Sequence, residues 1–416
     1  MSKKFTTLHP RRGLKLPWRL TTRSTYVNQR GSLPGENFGL SRPTPFLVAP
    51  VLILCAGLAL SPVHANAAGA LYTATEAGVL PAGSTRVVRA ANESGEIVGT
   101  AERDKGPQGF FLGGSTLQQI EGLPADSDSS AVVGINKHGQ VVGSVNIATG
   151  MRGFRSRQTG GIDLLKTLPG DTSSSASAIN TSGKATGWSS GADGVHAVVW
   201  SPAGAIEALP MLPDSSTCRG QAINDRGNIA GTCDTASGSH AVLWTGSTAQ
   251  DLGTLPGDYE SAAFGINDRG DVVGSSGNPE EVHHAVIWPD GGAIQSIGAL
   301  TNRKWSQALA INNNREVVGV SSDGYSKEHA FLWTEKDGLQ DLNDLLTSSS
   351  GFELTHAIAI SAQGLIVAHL QRPRRSCGCG RAVGSGHRKM DYARQQHGHP
   401  PHISFHSTAF VGRPGF

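Results

Sequence analysis

The chain has 416 residues, 54 of them glycine, with 35 Lys+Arg against 33 Asp+Glu and a formal net charge of +2. The basic excess lies at the two ends: residues 1–67 hold 9 Lys+Arg and those after 370 hold 8, whereas 68–370 hold 31 Asp+Glu against 18 Lys+Arg. A body this acidic repels phosphate backbones, which bind proteins chiefly through Lys and Arg, so nucleic acid is excluded as a partner.

In chain order, the first element is a leader. Phe46 to Leu60 is an apolar run of signal-peptide length, short for a membrane-spanning helix, and Ala65-Asn66-Ala67 follows it as a small-x-small cleavage pattern. Export is expected, with cleavage after Ala67 and no transmembrane span in the mature chain. The stretch ahead of Phe46 carries Arg11, Arg12, Lys15, Arg19 and Arg23 and is much longer than a usual charged region. Either the true start lies further downstream or the leader is atypical. Arg11-Arg12 stands too far from the apolar core for a twin-arginine signal. Leu54, ahead of Cys55, occupies a position where lipid-modified cysteines need a small residue.

From Asn92 to Leu365 one phrase recurs seven times, most fully as Ala222-Ile-Asn-Asp-Arg-Gly-Asn-Ile-Ala-Gly231 and Gly265-Ile-Asn-Asp-Arg-Gly-Asp-Val-Val-Gly274. Its asparagine falls at Asn92, Asn136, Asn180, Asn224, Asn267 and Asn312, with Ser361 in the last copy. The spacings are 44, 44, 44, 43, 45 and 49 residues, a propeller-blade period too long for leucine-rich or ankyrin units. Each period holds four short apolar pieces bounded by Gly, Asn and Asp. In one copy these are His240 to Trp244, Ala249 to Leu255, Ser261 to Ile266 and Val272 to Ser275. Asn267-Asp-Arg-Gly270 fits a tight turn with glycine at a positive-φ position, making the last two pieces a hairpin. No stretch has a helical period. The expected fold is all-β, a seven-bladed β-propeller of four-stranded antiparallel blades, with residues 68–370 as the ring. Coverage by a neighbour on each side explains why Ala197-Val-Val-Trp200 lacks a polar alternate.

Closure needs the ends to meet. Leu71 to Leu80 matches the second piece of a copy, so the piece before it is expected from the C-terminal end. His406-Ser-Thr-Ala-Phe-Val411 matches that piece only faintly, and the match is assigned to chance. Residues 371–416 break the style of the chain, with Cys377-Gly-Cys-Gly, clustered Arg and Lys, and His387, His397, His399, His402 and His406. Their spacing fits no established zinc site, and the tail is read as disordered or as the product of a reading-frame accident.

The linked phrases His-Ala-(Val/Phe)-(Leu/Ile/Val)-Trp, Asp-Leu-Gly-Thr-Leu-Pro-Gly and Ile-Asn-x-x-Gly-x-Val-Val-Gly resemble the HAF-repeat family of bacterial extracellular proteins. The resemblance runs from about Tyr72 to Val367 and is carried by His196 to Trp200, His240 to Trp244, His284 to Trp288 and His329-Ala-Phe-Leu-Trp333. It implies export from a bacterial cell and a propeller-like fold, with no agreed activity, substrate or catalytic residue. The first two copies depart from the pattern, with Gly109-Phe-Phe111 and Arg152-Gly-Phe154.

Repetition marks scaffold, and exceptions mark candidates for function. His196, His240, His284 and His329 are expected to bond within their own blades, for instance to Asp251 or Asp341, rather than to share a metal. Trp200, Trp244, Trp288 and Trp333 are read as packing between blades. The sequences Pro256-Gly-Asp-Tyr-Glu260 and Thr301-Asn-Arg-Lys-Trp305 fill one loop in adjoining copies. They nominate Asp258, Tyr259, Glu260, Arg303, Lys304 and Trp305 as a rim site for a sugar or peptide. Cys218 and Cys233 replace a pair that is serine at Ser174/Ser189, Ser261/Ser276 and Ser306/Ser321. A hairpin centred between Asp225 and Arg226 brings them face to face for a disulfide, whereas a one-residue bulge at Gly227 puts them on opposite faces. His-Glu-x-x-His, a Walker loop and zinc-spaced cysteines are absent from the sequence, and no cofactor is indicated. The reading is an exported binding or structural module, secreted, periplasmic or on the cell surface of a bacterium. Its candidate ligands are an extracellular glycan, the cell wall or a protein. The alternative is a secreted carbohydrate- or ester-active enzyme with its site on the rim or in the channel.

Overall fold

A computed structural model of the chain describes residues 72–76, 86–102, 106–113, 116–157, 160–278, 283–324, 327–347, 351–372 and 407–413. The leader with its signal peptide and cleavage site, and the Cys- and His-bearing stretch 373–406, lie outside the described residues. The described residues all fall in a unit running from Asn66 to Phe416, and among them no helix is long and apolar enough to cross a membrane.

Seven four-stranded antiparallel blades follow one another in chain order, blades 3 and 4 being joined by a single parallel bridge between Val195 and Thr217. Blade 1 is built from Arg86–Ala91, Ile97–Ala101, Gln108–Gly113 and Thr116–Gln119, and blade 4 from Thr217–Ile223, Ile229–Thr235, Gly238–Thr245 and Thr248–Asp251. Blades 2, 3, 5 and 6 repeat the plan from Ser129, Ser173, Glu260 and Trp305. The first strands of adjacent blades approach one another around the ring, so they are innermost, while the fourth strands carry the most exposed side chains. The second strands are buried on both faces because a blade is covered on both sides. Each apolar cluster is accordingly shared by two blades, such as Val142 of blade 2 with Ala176, Ala185, Val198 and Trp200 of blade 3. Each such Val or Leu contributes about 1.5–3 kcal/mol on leaving water, which a lone four-stranded sheet has no means of securing.

The repeated asparagine holds both its own turn and the next blade. In each turn its backbone N–H donates to the carbonyl four residues on, and the residue three on, at positive φ and glycine in all but the Asn312 turn, donates back to its carbonyl. The Asn267 Oδ1 accepts from the N–H groups of Arg269 and Asp271. Its Nδ2 is left free to reach outward, and in six consecutive steps that amide donates to the carbonyl of the corresponding residue in the next blade. The steps run Asn92 to Asn136 to Asn180 to Asn224 to Asn267 to Asn312 to Ser361, at 2.9–3.1 Å. A second ladder runs beside part of it, through Thr181, Asp225, Asp268 and Asn313.

The ring closes through both ends of the chain. Blade 7 consists of Glu353–Ile360, Ile366–Gln371, Ser407–Gly412 and Thr73–Glu76 in that order. The expected C-terminal contribution is therefore real, and the assignment of the His406–Val411 match to chance is corrected, as is the placing of all of 371–416 outside the ring. Ser407–Gly412 alternates apolar Ala409 and Val411 into the core in register with Ala368 and Ile366, the pattern a third strand needs. Arg413, the residue after that strand, forms an ion pair with Glu316 at 2.9 Å and stands over the Tyr72 ring at 5.9 Å. Val367 of blade 7 packs with Val88, Ile97 and Phe110 of blade 1, completing the circle.

The Cys218–Cys233 hairpin contains two offsets that cancel. Asn224 pairs with Asn228 across the turn and Gly227 sits at φ 86°, so the one-residue bulge at Gly227 does occur. A second irregularity between Gly220 and Ala222 restores the register, and Cys218 faces Cys233. The structure joins them in a disulfide with Cα atoms 4.1 Å apart, both residues fully buried.

Candidate functional site

The ring has two unlike faces. On one lie the asparagine turns. On the other, the loop face, lie the hairpins between second and third strands and the loops entering each new blade.

The entry loops carry the predicted rim residues. Tyr259 is one of two exposed large hydrophobics among the described residues, at 65 %. Its N–H is held by Gly277 O and Asn278 Oδ1, so the backbone is fixed while the ring is free. Asp258 accepts from Ser276 Oγ at 2.7 Å. Glu260 opens the first strand of blade 5, where burial chiefly, and then Asp234, push its carboxyl pKa up against the opposing pull of His240. One blade on, the Arg303 guanidinium donates to Lys327 O, Lys304 is exposed, and Trp305 is the half-buried first residue of its strand. Tyr259 stands one residue before its strand and Trp305 inside its own, so the two aromatics share a face but not an equivalent position.

The repeat histidines divide by their fourth-strand neighbours. His240 Nδ1 bonds Asp251 at 2.7 Å and His329 Nδ1 bonds Asp341. In blade 3 the position of those aspartates is Ala208, and His196 Nδ1 is buried with no hydrogen-bond partner. Trp200 and Trp244 are buried, with indole N–H groups donating to the entry-loop carbonyls of Lys166 and Pro210. The repeat serines are equally structural: Ser261 Oγ accepts from Ala241 N of the blade before, and Ser276 Oγ from Leu255 N of the entry loop.

Three groups of residues that break the repeat escaped the sequence reading. The first is a ring of bulges. Every innermost strand shifts register at an equivalent place, at Arg89, Val133, Ser177, Gln221, Phe264, Leu309 and Ile358 in blades 1 to 7, and blade 7 shifts a second time at Thr355. The flanking positions point into the packing between blades. A Cβ on Gly220 would lie 2.2 Å from Thr186 Oγ1 of blade 3, and one on Gly134 would lie 3.1 Å from Ser177 O of blade 3. The bulged residue is half-buried in all seven blades, on the strand nearest the axis; of the apolar ones, Val133, Phe264 and Leu309 join none of the inter-blade clusters, whereas Ile358 packs against the one shared by blades 7 and 1.

The second group bridges blades 6, 7 and 1. His356 and His369 pair across blade 7 with ring centroids 5.8 Å apart. His369 Nε2 reaches Val88 O of blade 1 at 3.1 Å, and His356 Nδ1 lies 3.9 Å from Glu328 Oε2 of blade 6. Burial, then the second imidazole, brings His356 down to about 3. Burial, opposed by the Val88 bond and helped by Arg89, brings His369 to about 4. Burial and then Asp323 raise Glu328 to about 7. Both imidazoles are therefore neutral near neutral pH while Glu328 is close to its titration midpoint, so proximity does not make Glu328 and His356 an ion pair.

The third is Arg315, at φ 62° where the other six copies have glycine. It bonds Asp271 of blade 5 through Nε and Nη2 at 2.9 and 2.6 Å. Burial works to raise the Asp271 carboxyl, but the bonds from Arg315 and Asn267 outweigh it and hold the group at about 2. A glycine missing from an otherwise invariant turn position was visible in the sequence. The bulges carry no residue signature at all.

Among the described residues no cluster of His, Cys, Asp and Glu is arranged to hold a metal. No family model and no curated protein matches the chain. Solved structures similar to it include virginiamycin B lyase from Staphylococcus aureus (10% identity, 71% of this chain and 95% of that one, TM-score 0.47). TolB from Acinetobacter baumannii is another (10%, 57% and 60%, TM-score 0.40), as is Aleuria aurantia lectin in complex with alpha-methyl-L-fucoside (10%, 62% and 93%, TM-score 0.36). These likenesses transfer no residue role to this chain.

Proposed function

We propose that this chain is a HAF-repeat protein of a bacterium, exported, and acting outside the cytoplasm as a binding module. One observation supports the reading above the others: seven copies of one bulged backbone carry seven different residue types at the same place on the strands nearest the axis, from Arg to Phe. A purely architectural ring has no reason to vary the residue while keeping the bulge. The rim at blades 5 and 6 is a contact surface for a glycan, cell-wall polymer or protein, with Tyr259 as a stacking platform and Asp258, Glu260, Arg303, Lys304 and Trp305 around it.

Pull-down with the full chain from cell-wall, glycan and culture-supernatant fractions tests this. Retention of a defined ligand, weakened about ten-fold or more by Tyr259→Ala at unchanged thermal midpoint, is the expected result. Retention of nothing by the native chain, or equal retention by the variant, refutes the rim. Glu328, near its titration midpoint beside His356, favours a second reading as an acid–base hydrolase on the loop face. Turnover of an aryl ester or glycoside that Glu328→Gln abolishes would replace the binding-module conclusion.

A further inference from the structure

The bulge ring carries one charge. Arg89, in blade 1, makes no hydrogen bond or ion pair with any described residue, although burial is strong enough to lower the pKa of its guanidinium. Arginine does not discharge in proteins, so partial burial without a counter-charge is a standing cost that folding alone gives no reason to keep. Its surroundings do not supply the missing anion. His369, which faces it electrostatically from blade 7, is held neutral, and Glu328 is directed to His356 at 3.9 Å. Around the ring the bulged residues of blades 5, 6 and 7 are Phe264, Leu309 and Ile358, and Val133 stands on the other side in blade 2. Ile358 packs against the cluster that contains Val88, the residue before Arg89. An unpaired cation thus sits at the end of an apolar arc, with Ser177 and Gln221 opposite as the uncharged polar members.

We propose that the axial channel binds a ligand bearing an oxyanion, a carboxylate, phosphate or sulfate, on an apolar body, with Arg89 as the anion's partner and Phe264 and Leu309 as the wall for the body. The guanidinium offers a fork of N–H donors matched to such a group, and a low-dielectric channel strengthens the pairing. The site is separate from the Tyr259 rim, so either can fail alone.

Calorimetric titration of the full chain with phenyl phosphate, inorganic phosphate and phenol tests it. Phenyl phosphate is expected to bind more tightly than either fragment, and Arg89→Met to weaken it roughly ten-fold or more, one lost charged partner being worth that much. Phe264→Ala should narrow the gap between phenyl phosphate and inorganic phosphate. The same Arg89→Met change should raise the thermal midpoint of the unliganded protein, since it removes an unpaired buried charge. That separates a ligand-binding arginine from a structural one, whose loss lowers the midpoint. The proposal is overturned by absence of phenyl phosphate binding to the native chain, by binding indifferent to Arg89→Met, or by a lowered midpoint in that variant. Inorganic phosphate binding as tightly as phenyl phosphate overturns the apolar wall. Loss of Tyr259-dependent retention with this titration intact would bear on the rim alone.

Discussion

Replacing Ser361 by asparagine should stabilise the protein by completing the turn-face ladder. Six amides hand a hydrogen bond from blade to blade, and the seventh position receives one from Asn312 but has only a hydroxyl, whose oxygen accepts from Leu365 N at 3.0 Å. The space matches the other steps: Leu365 lies 3.8 Å from the Cβ position of Gly95, as Glu316 lies 3.5 Å from that of Gly364. An asparagine at 361 would keep the Leu365 bond through Oδ1 and send Nδ2 to Asn92 O. One new amide–carbonyl bond in a covered site contributes about 1 kcal/mol, with a second local bond to the N–H two residues on roughly offsetting the entropy of fixing the side chain. For a ring of roughly 280 residues, with about 2 cal/mol/K of unfolding entropy each, that raises the thermal midpoint by about 1–2 °C. The matched deletion is Asn267→Ala, which strips Arg269 N and Asp271 N of their acceptor and should cost about 2–4 kcal/mol. Differential scanning calorimetry with parallel urea melts reads both. A Ser361→Asn midpoint at or below the native value, alongside the full Asn267→Ala loss, would show that the seventh step is not equivalent. No change in either variant would refute the ladder as a source of stability.

Reducing Cys218–Cys233, which closes 15 residues, should cost about 2–3 kcal/mol in urea melts, and the Cys218→Ser/Cys233→Ser double variant should lose less than the double alanine because serine restores the acceptors used in other blades. Equal losses would remove that inference. Arg315→Gly relieves a left-handed residue worth about 1 kcal/mol but leaves Asp271 buried without its guanidinium, for a net loss of about 2 kcal/mol at neutral pH. Because Asp271 is depressed to about 2, the stability it contributes is present above its unfolded pKa and disappears as pH falls through that value, so native and variant should converge in strong acid. Glu328 has the opposite sign: raised to about 7, it contributes stability below the ordinary carboxylate range that is lost as pH rises through neutrality. Glu328→Gln should therefore raise the urea midpoint in alkali and leave it unchanged near the unfolded carboxylate pKa; a pH-independent effect would contradict this.

Much of the fold could be read in the chain because the turn phrase pins one residue per blade. Asn at the head of a turn and Gly three residues later report backbone geometry directly, and their spacing counts the blades. The closing blade was harder. Ser407–Gly412 lies far from its partners in sequence and follows a stretch unlike any repeat, so its apolar alternation carried little weight until Ile366–Gln371 was seen with an open edge. Cys218 and Cys233 could be paired from residue numbers only because two offsets, at Gly227 and between Gly220 and Ala222, cancel. The candidate site was least legible. Tyr259 and its neighbours stand out as local oddities, whereas Arg89 looks like any surface arginine until strand pairing shows it at a register shift on an innermost strand. His356 and His369 are thirteen residues apart, and only strand pairing reveals them as a couple.

The shared last blade sets a timetable for synthesis. Thr73–Glu76 emerges early and must wait, unpaired, while six blades are made, until Ser407–Gly412 arrives to receive it. A nick or premature stop ahead of Ser407 would strand Ile366–Gln371 with a naked backbone edge, the kind that recruits other chains into aggregates. Proteolytic surveillance of unfinished molecules would then have a ready handle, and only chains carried through to the final strand would escape it.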